Sequence, residues 1–196
     1  MPRLFTAIDV PEEIRILLQA TFRRNPSGLK WLKAEQLHLT IRFIGETSDD
    51  AFQMIMENFR EIKWPSLTMV FSGTGFFPSP RKPRIFHLGF NNDTELGLLR
   101  KNMDLKLAGM GILPEKRDFI PHVTLARIGE THNQLNFEKL SRDFKPFEGM
   151  SFNASEFYLY SSTLAPEGAM HKIEETYRCD EHPISNAQSP TDEGQK

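Results

Sequence analysis

Two stretches of this chain, HLTIRFIGET at 38–47 and HVTLARIGET at 122–131, share one pattern: His, an apolar residue, Thr, a second apolar residue, and a close on Ile-Gly-Glu-Thr. A single His on an otherwise apolar strand is most simply a structural residue satisfied by hydrogen bonds. Two in the same frame, each with its Thr, ask for a shared explanation. Imidazole, with an ordinary pKa of about 6.5, takes or gives a proton near neutral pH. Threonine hydroxyls can donate to the non-bridging oxygens of a phosphate, where charge builds in the transition state. Opening a cyclic phosphodiester needs this set, with a base to activate the nucleophile and an acid to protonate the departing oxygen. His38 and His122 are the acid/base candidates, and Thr40 and Thr124 the phosphate ligands.

A metal site is the competing use of the same histidines, with Glu46, Asp118 or Glu130 as a third ligand. Threonine is a poor zinc ligand, and no HExxH or clustered Asp/His spacing occurs, so no metal and no cofactor are expected.

These side chains must be held by strands. Residues two apart on a strand share a face, so His38, Thr40 and Arg42 are expected to project together, as are His122 and Thr124. Leu39, Ile41, Val123 and Leu125 then face the core. Arg42 becomes a candidate phosphate contact, with a salt bridge to Glu46 or Glu130 as the alternative. Around the motif strands the pattern predicts a strand at 4–8, a helix from Pro11 to about Arg24 and a break at Asn25–Gly28. Gly45 should end the first motif strand, and Ser48 or Asp49 should cap a helix with Phe52, Ile55, Met56 and Phe59 on one face. Further strands are expected at 67–71, 85–90, 151–161 and 171–178. A helix is expected at 94–108 with Leu96, Leu99, Met103 and Leu107 inward, and a short one at 137–142. The spacing from His38 to His122 is far longer than the period of roughly 20–50 residues of a solenoid. The order of elements instead predicts an α+β fold: a bilobal pseudo-two-fold duplication, two mostly antiparallel sheets around a central cleft, and helices outside.

A chain of 196 residues with 16 Phe and 39% hydrophobic residues has enough apolar material for one packed domain, expected over residues 1–184. Residues 185–196, polar and aperiodic, are expected to be a disordered tail. A net charge of −2 argues against a long non-specific nucleic-acid groove but not against local recognition of one phosphate and one or two bases. With Cys179 the only cysteine, there is no disulfide framework. The opening residues lack a signal-peptide pattern, and no stretch of about 18 apolar residues occurs. The expectation is a cytoplasmic monomer with no membrane and no protein partner.

The forms HLTIRFIGE and PHVTLARIG resemble the two-histidine phosphoesterase superfamily, in particular its RNA 2′,3′-cyclic phosphodiesterase branch, historically called 2′-5′ RNA ligase. The likeness spans roughly residues 3–178. RLFTAIDVPEEIR resembles the opening strand and helix, GFFPSPRKPRIFHLGF the aromatic-proline loop and its strand, and LYSSTLAPEGAMHKI the closing hairpin. The resemblance implies hydrolysis of a terminal 2′,3′-cyclic phosphate to a 2′-phosphomonoester, without a metal, with weak reversible 2′-5′ ligation. The implied partners are RNA ends or small nucleotides carrying the cyclic phosphate. It also implies that Phe43 and Arg127, five residues after each His, lie near the terminal base. Strict alternation puts them on the wrong face, so a bulge or twist is required; without one, Phe43 is core and Arg127 a surface ion-pair partner. Arg81-Lys82-Pro83-Arg84 is either a backbone-phosphate contact or a solvated loop. His171 stands where the family is expected to carry an aromatic residue. His87, His132 and His182 have no matching partner and are read as structural or exposed, and Trp31 and Trp64 as core. A binder of RNA ends without catalysis is the other class of reading, disfavoured by two complete motifs.

Overall fold

The computed structural model describes residues 3–22, 29–91, 94–129, 136–165 and 168–180. The expected break at 25–28, the tail from 185, and Glu130, His132 and His182 lie outside them. The chain runs β1 (Arg3–Asp9), α1 (Glu12–Phe22), β2 (Leu29–Trp31), a 3-10 turn (Ala34–Gln36), β3 (His38–Glu46), α2 (Asp49–Arg60), β4 (Leu67–Phe77) and β5 (Ile85–Phe90). It continues through α3 (Thr94–Gly109), β6 (His122–Ile128), α4 (Phe137–Asp143), a second 3-10 turn (Lys145–Phe147), β7 (Ser151–Ala154), β8 (Glu156–Ala165) and β9 (Gly168–Arg178). The Phe77–Pro78 peptide is cis.

The strands pair in the order β7-β4-β5-β6-β3-β1-β8-β9, with β2 beside β6. Every pairing is antiparallel. Read outward from the centre, the order is symmetric, with the two motif strands β3 and β6 in the middle. They touch through a single bridge, Leu39 to Val123. The two sheets expected from the sequence are thus one continuous nine-stranded sheet, joined at the motifs.

The helices exchange halves. Helix α1 follows β1, yet its Phe22 ring stacks on Trp31 at 4.4 Å, on the β6 side of the molecule. Helix α3 follows β5, yet Met103 receives a hydrogen bond from Thr6 on β1 at 3.4 Å. The helical spacing that predicted Leu96, Leu99, Met103 and Leu107 as its inner face holds, since all four are buried. On α1, Ile14, Leu18 and Phe22 are buried while Leu17 is exposed. The Ser48 hydroxyl caps α2 by accepting from the Ala51 N–H at 3.3 Å, and Ile55 and Phe59 are buried on it. Several strand boundaries differ from expectation. Strand β4 continues through the Gly-rich segment to Phe77, β3 passes through Gly45 (φ +95°) to Glu46, and the strand expected at 151–161 breaks at Ser155. In each case partner strands, not local propensity, decide the length.

Both motif strands carry the same irregularity. On β3 the register steps from Thr40 opposite Ala7 to Arg42 opposite Thr6, passing over Ile41. On β6 it steps from Thr124 opposite His87 to Ala126 opposite Phe86, passing over Leu125. A bulge adds one residue and reverses the facing of those that follow. Ile41 and Arg42 are therefore both buried, as are Leu125 and Ala126, whereas Phe43 and Arg127 return to the exposed face.

The expectation that Arg42 shares the His38 face is overturned by this bulge. Arg42 is 2% exposed on the opposite side. Its Nε donates to Asp104 Oδ1 at 2.5 Å, its Nη2 to the Leu113 carbonyl at 2.6 Å and its Nη1 to the Phe43 carbonyl, with Glu115 at 3.6 Å. Glu46, the alternative partner, pairs instead with Arg3 at 3.2 Å. Arg42 fastens α3 and the segment before β6 to the back of β3. Truncating one member of such a buried cluster strands the other charges. Arg42→Ala is expected to cost about 3 kcal/mol in urea unfolding, toward the lower end of the range for buried pairs because the two carboxylates keep some exposure; an unchanged midpoint would overturn this role.

Candidate active site

Antiparallel continuation on either side of the Leu39–Val123 bridge sets His38 across from Thr124 and Thr40 across from His122. Leu39, Ile41, Val123 and Leu125 are buried beneath, so the His and Thr side chains stand on the opposite, half-exposed face. The four residues singled out by the repeat come together at the one place where the two halves of the sheet meet.

Each histidine has an aromatic wall from its own half. His38 stacks against Phe5 with ring centroids 5.2 Å apart, and the Phe5 ring lies 6.0 Å from Phe43 and 5.1 Å from Tyr160. The Tyr160 hydroxyl donates to Asp9 Oδ1 at 2.8 Å, which fixes that ring. His122 meets Phe77 edge-on at 4.8 Å. Phe43 is 58% exposed, not core, and Arg127 is exposed on the same face as His122.

Two further imidazoles complete the floor. His171 lies edge-on to His38 at 5.3 Å, and His87 edge-on to His122 at 5.2 Å. His87, read from sequence as lacking a partner, is buried beside Thr124 in the sheet, with Phe77 stacked on it at 4.1 Å. Gly75 makes room for it: a Cβ there would stand 2.7 Å from the His87 ring. Phe5, Tyr160, Phe77 and Gly75 were not singled out in the sequence, and His87 was read as structural or exposed, because nothing in their local spacing marks a site. Only the duplicated frame was such a signal. Trp31 and Trp64 are packed against or within the core, as expected.

Burial disfavours the charged form of each of these imidazoles. Burial, and then the neighbouring imidazoles of His171 and His122, hold His38 down to about 3. Burial, and then His122, lower His87 to about 4. Burial lowers His171 as well. His122 is also lowered by burial, but its Nδ1 lies 2.7 Å from the Ile120 carbonyl, a contact that favours the protonated ring. An Nδ1–H donating there leaves Nε2 as the nitrogen free for chemistry. Among the described residues, no group of three or more His, Cys, Asp or Glu side chains is arranged to hold a metal ion. Of the three carboxylates weighed for that purpose, Glu46 is engaged with Arg3.

Two histidine-threonine pairs thus face each other across a pseudo-two-fold sheet. A family model for LigT-like phosphoesterases matches residues 8–87 and 89–171, one motif in each segment, and the chain belongs to that family. It is 32% identical over 183 residues to an RNA 2′,3′-cyclic phosphodiesterase of Thermotoga maritima, covering 90% of this chain and 94% of the relative. To an RNA 2′,3′-cyclic phosphodiesterase of Aeropyrum pernix it is 35% identical over 145 residues, covering 74% and 82%. The fold superposes on the crystal structure of Escherichia coli LigT complexed with 3′-AMP with a TM-score of 0.75 and 26% identity, over 92% of this chain and 100% of that one.

Depressed imidazole pKa values have a stability consequence. The unfolded chain protonates its histidines near the ordinary value, while the folded chain resists until about 4 for His87 and about 3 for His38. Between those limits the unfolded state binds more protons, so stability falls as pH drops below about 6.5. The melting temperature is expected to decline progressively from pH 6.5 to 4, and less steeply in His87→Gln; parallel curves for the two proteins would contradict the assignment.

Proposed function

We propose that this chain hydrolyses the 2′,3′-cyclic phosphate at an RNA end to a 2′-phosphomonoester, without a metal ion, using His38 and His122 as base and acid and Thr40 and Thr124 as phosphate ligands. The observation that carries the reading is the single Leu39–Val123 bridge, which brings two complete His-Thr pairs face to face. The relatives' activity on RNA cyclic phosphates agrees with that chemistry.

In the proposed reaction His38, whose burial among imidazoles leaves it unprotonated, takes a proton from water as the water oxygen bonds to phosphorus. The bond from phosphorus to the 3′ oxygen breaks, and His122 gives that oxygen a proton from Nε2 while the Ile120 carbonyl steadies the imidazolium. The threonine hydroxyls donate to the two non-bridging oxygens as charge grows on them. With a 5′-hydroxyl in place of water, the same displacement joins two RNA ends 2′-5′. Phe43, exposed beside Phe5, offers a ring for the terminal base. Cys179 is a free thiol, in keeping with action in a reducing cytoplasm, and the reading calls for no second subunit. No helix among the described residues is long and apolar enough to cross a membrane.

A nucleoside 2′,3′-cyclic phosphate is expected to turn over in EDTA, and His38→Ala and His122→Ala each to lower kcat by about 10²–10⁴-fold. Loss of activity on chelation, or survival of either variant, sinks the mechanism. A cyclic substrate with sulfur as the departing bridge atom needs little acid assistance, so it is expected to rescue His122→Ala and not His38→Ala; the reverse rescue exchanges the two roles.

The pH profile follows from the same assignment. The base must be neutral and the acid protonated, and burial lowers both groups in the free protein. The bell in kcat/KM is therefore expected to peak on the acid side of about 6.5, while kcat, read with the anionic substrate bound, peaks at higher pH. A kcat/KM optimum well above that value would rule out the depressed pair.

A further inference from the structure

The two halves of the cleft are built alike but charged differently. In each half the segment before a motif strand crosses to lie against the other motif strand. Ahead of β3, residues 29–31 form β2 and pair with β6, setting Lys30 directly opposite Arg127. Ahead of β6, the corresponding segment lies against β3: the Leu113 carbonyl accepts from Arg42, and Glu115 Oε2 stands 3.4 Å from the Phe43 N–H. At equivalent places, one half therefore carries Lys30 beside Arg127 and the other carries Glu115 beside Phe43.

Directly opposed cross-strand side chains share a face, and like charges so placed repel. Lys30 and Arg127 are both exposed, and neither forms an ion pair with any described residue. The carboxylate at the other end is compensated, with Glu115 contacting Arg100 at 3.4 Å and Arg42 at 3.6 Å. Among the described residues, then, no carboxylate offsets the Lys30–Arg127 pair, whereas Glu115 at the other end is offset twice. The bulge at Leu125 turns Arg127 onto the face of His122 and Thr124, three residues on from Thr124, which is roughly 7–10 Å of strand. The exposed Arg81 and Lys82 lie on the turn between β4 and β5, and the Arg84 carbonyl of that turn accepts from the Ile128 N–H at 2.9 Å at the same end of β6. Positive charge so gathers at one end of the cleft and aromatic surface at the other.

We propose that Lys30 and Arg127 form a subsite for the backbone phosphate on the 5′ side of the terminal nucleotide, so that this site takes the end of an RNA strand in preference to a free cyclic nucleotide. The inference rests on the reading of the active site above. It gives the strand a direction: the terminal base goes to Phe43 and Phe5, the cyclic phosphate to the paired His-Thr motifs, and the preceding phosphate to the cationic pair.

The test compares kcat/KM for a nucleoside 2′,3′-cyclic phosphate and for a short oligoribonucleotide ending in the same group, across a salt series, in the native chain, Lys30→Gln, Lys30→Glu and Lys30→Arg. The native chain is expected to prefer the oligonucleotide, and increasingly so at low salt. Lys30→Gln is expected to lower kcat/KM for the oligonucleotide, through KM, about tenfold more than for the mononucleotide, with a larger gap for Lys30→Glu and recovery in Lys30→Arg. Losing one phosphate contact on a single strand should flatten the slope of log kcat/KM against log salt by about 0.7. Equal losses on both substrates, or no change on either, overturn the subsite. Binding of an oligonucleotide that ends in a 2′-phosphate is read separately by fluorescence anisotropy. It tests the subsite even if neither cyclic substrate is opened, which would be a failure of the proposed reaction instead. Unaltered affinity in Lys30→Glu overturns the subsite in that case too.

Discussion

One backbone contact organises this molecule. The bridge between Leu39 and Val123 is where two otherwise separate antiparallel sheets become one, and the residues that flank it on each strand are the His and Thr of the motifs. Because the strands run antiparallel, each His is set beside the other strand's Thr. A parallel meeting would have put like beside like. The apolar residues of the motifs form the floor by burying on one face, and that burial commits the polar ones to the other. The exchange of α1 and α3 between halves braces the same junction from behind, since each helix follows a strand of one half and packs on the other.

The second constraint is the bulge at Ile41 and its counterpart at Leu125. One extra residue on each motif strand sends Arg42 into the interior and returns Phe43 and Arg127 to the cleft. The two strands keep the same bulge while differing in what it exposes. A symmetric pair of His-Thr motifs is thereby joined to asymmetric ends, with Phe43 exposed at one and Arg127 at the other. A charge on any of the four imidazoles at this junction is costly to bury, and burial lowers the pKa of each.

The tandem motifs and the inner faces of α2 and α3 could be read from the chain because they are periodic. Alternation along a strand and three-to-four spacing along a helix are properties of neighbouring residues. The same periodicity misread Arg42, since a bulge depends on the partner strand, and missed His87, whose role comes from lying next to Thr124 across the sheet. Strand β4 was read too short because its glycines look like a loop until β5 is laid against them.

By itself the sequence singled out the candidate groups: a His and a Thr two residues apart, twice, with apolar residues between that force them onto one face. The tertiary structure alone decided how those groups meet, because the pairing of β3 with β6 is a contact between residues distant in the chain. It also decided which side chains surround them. The facing of a side chain beyond a bulge, the stacking of Phe5 and Tyr160 by His38, and the setting of Lys30 against Arg127 all follow from register between strands. Register is a property of pairs of strands, and no single strand encodes it.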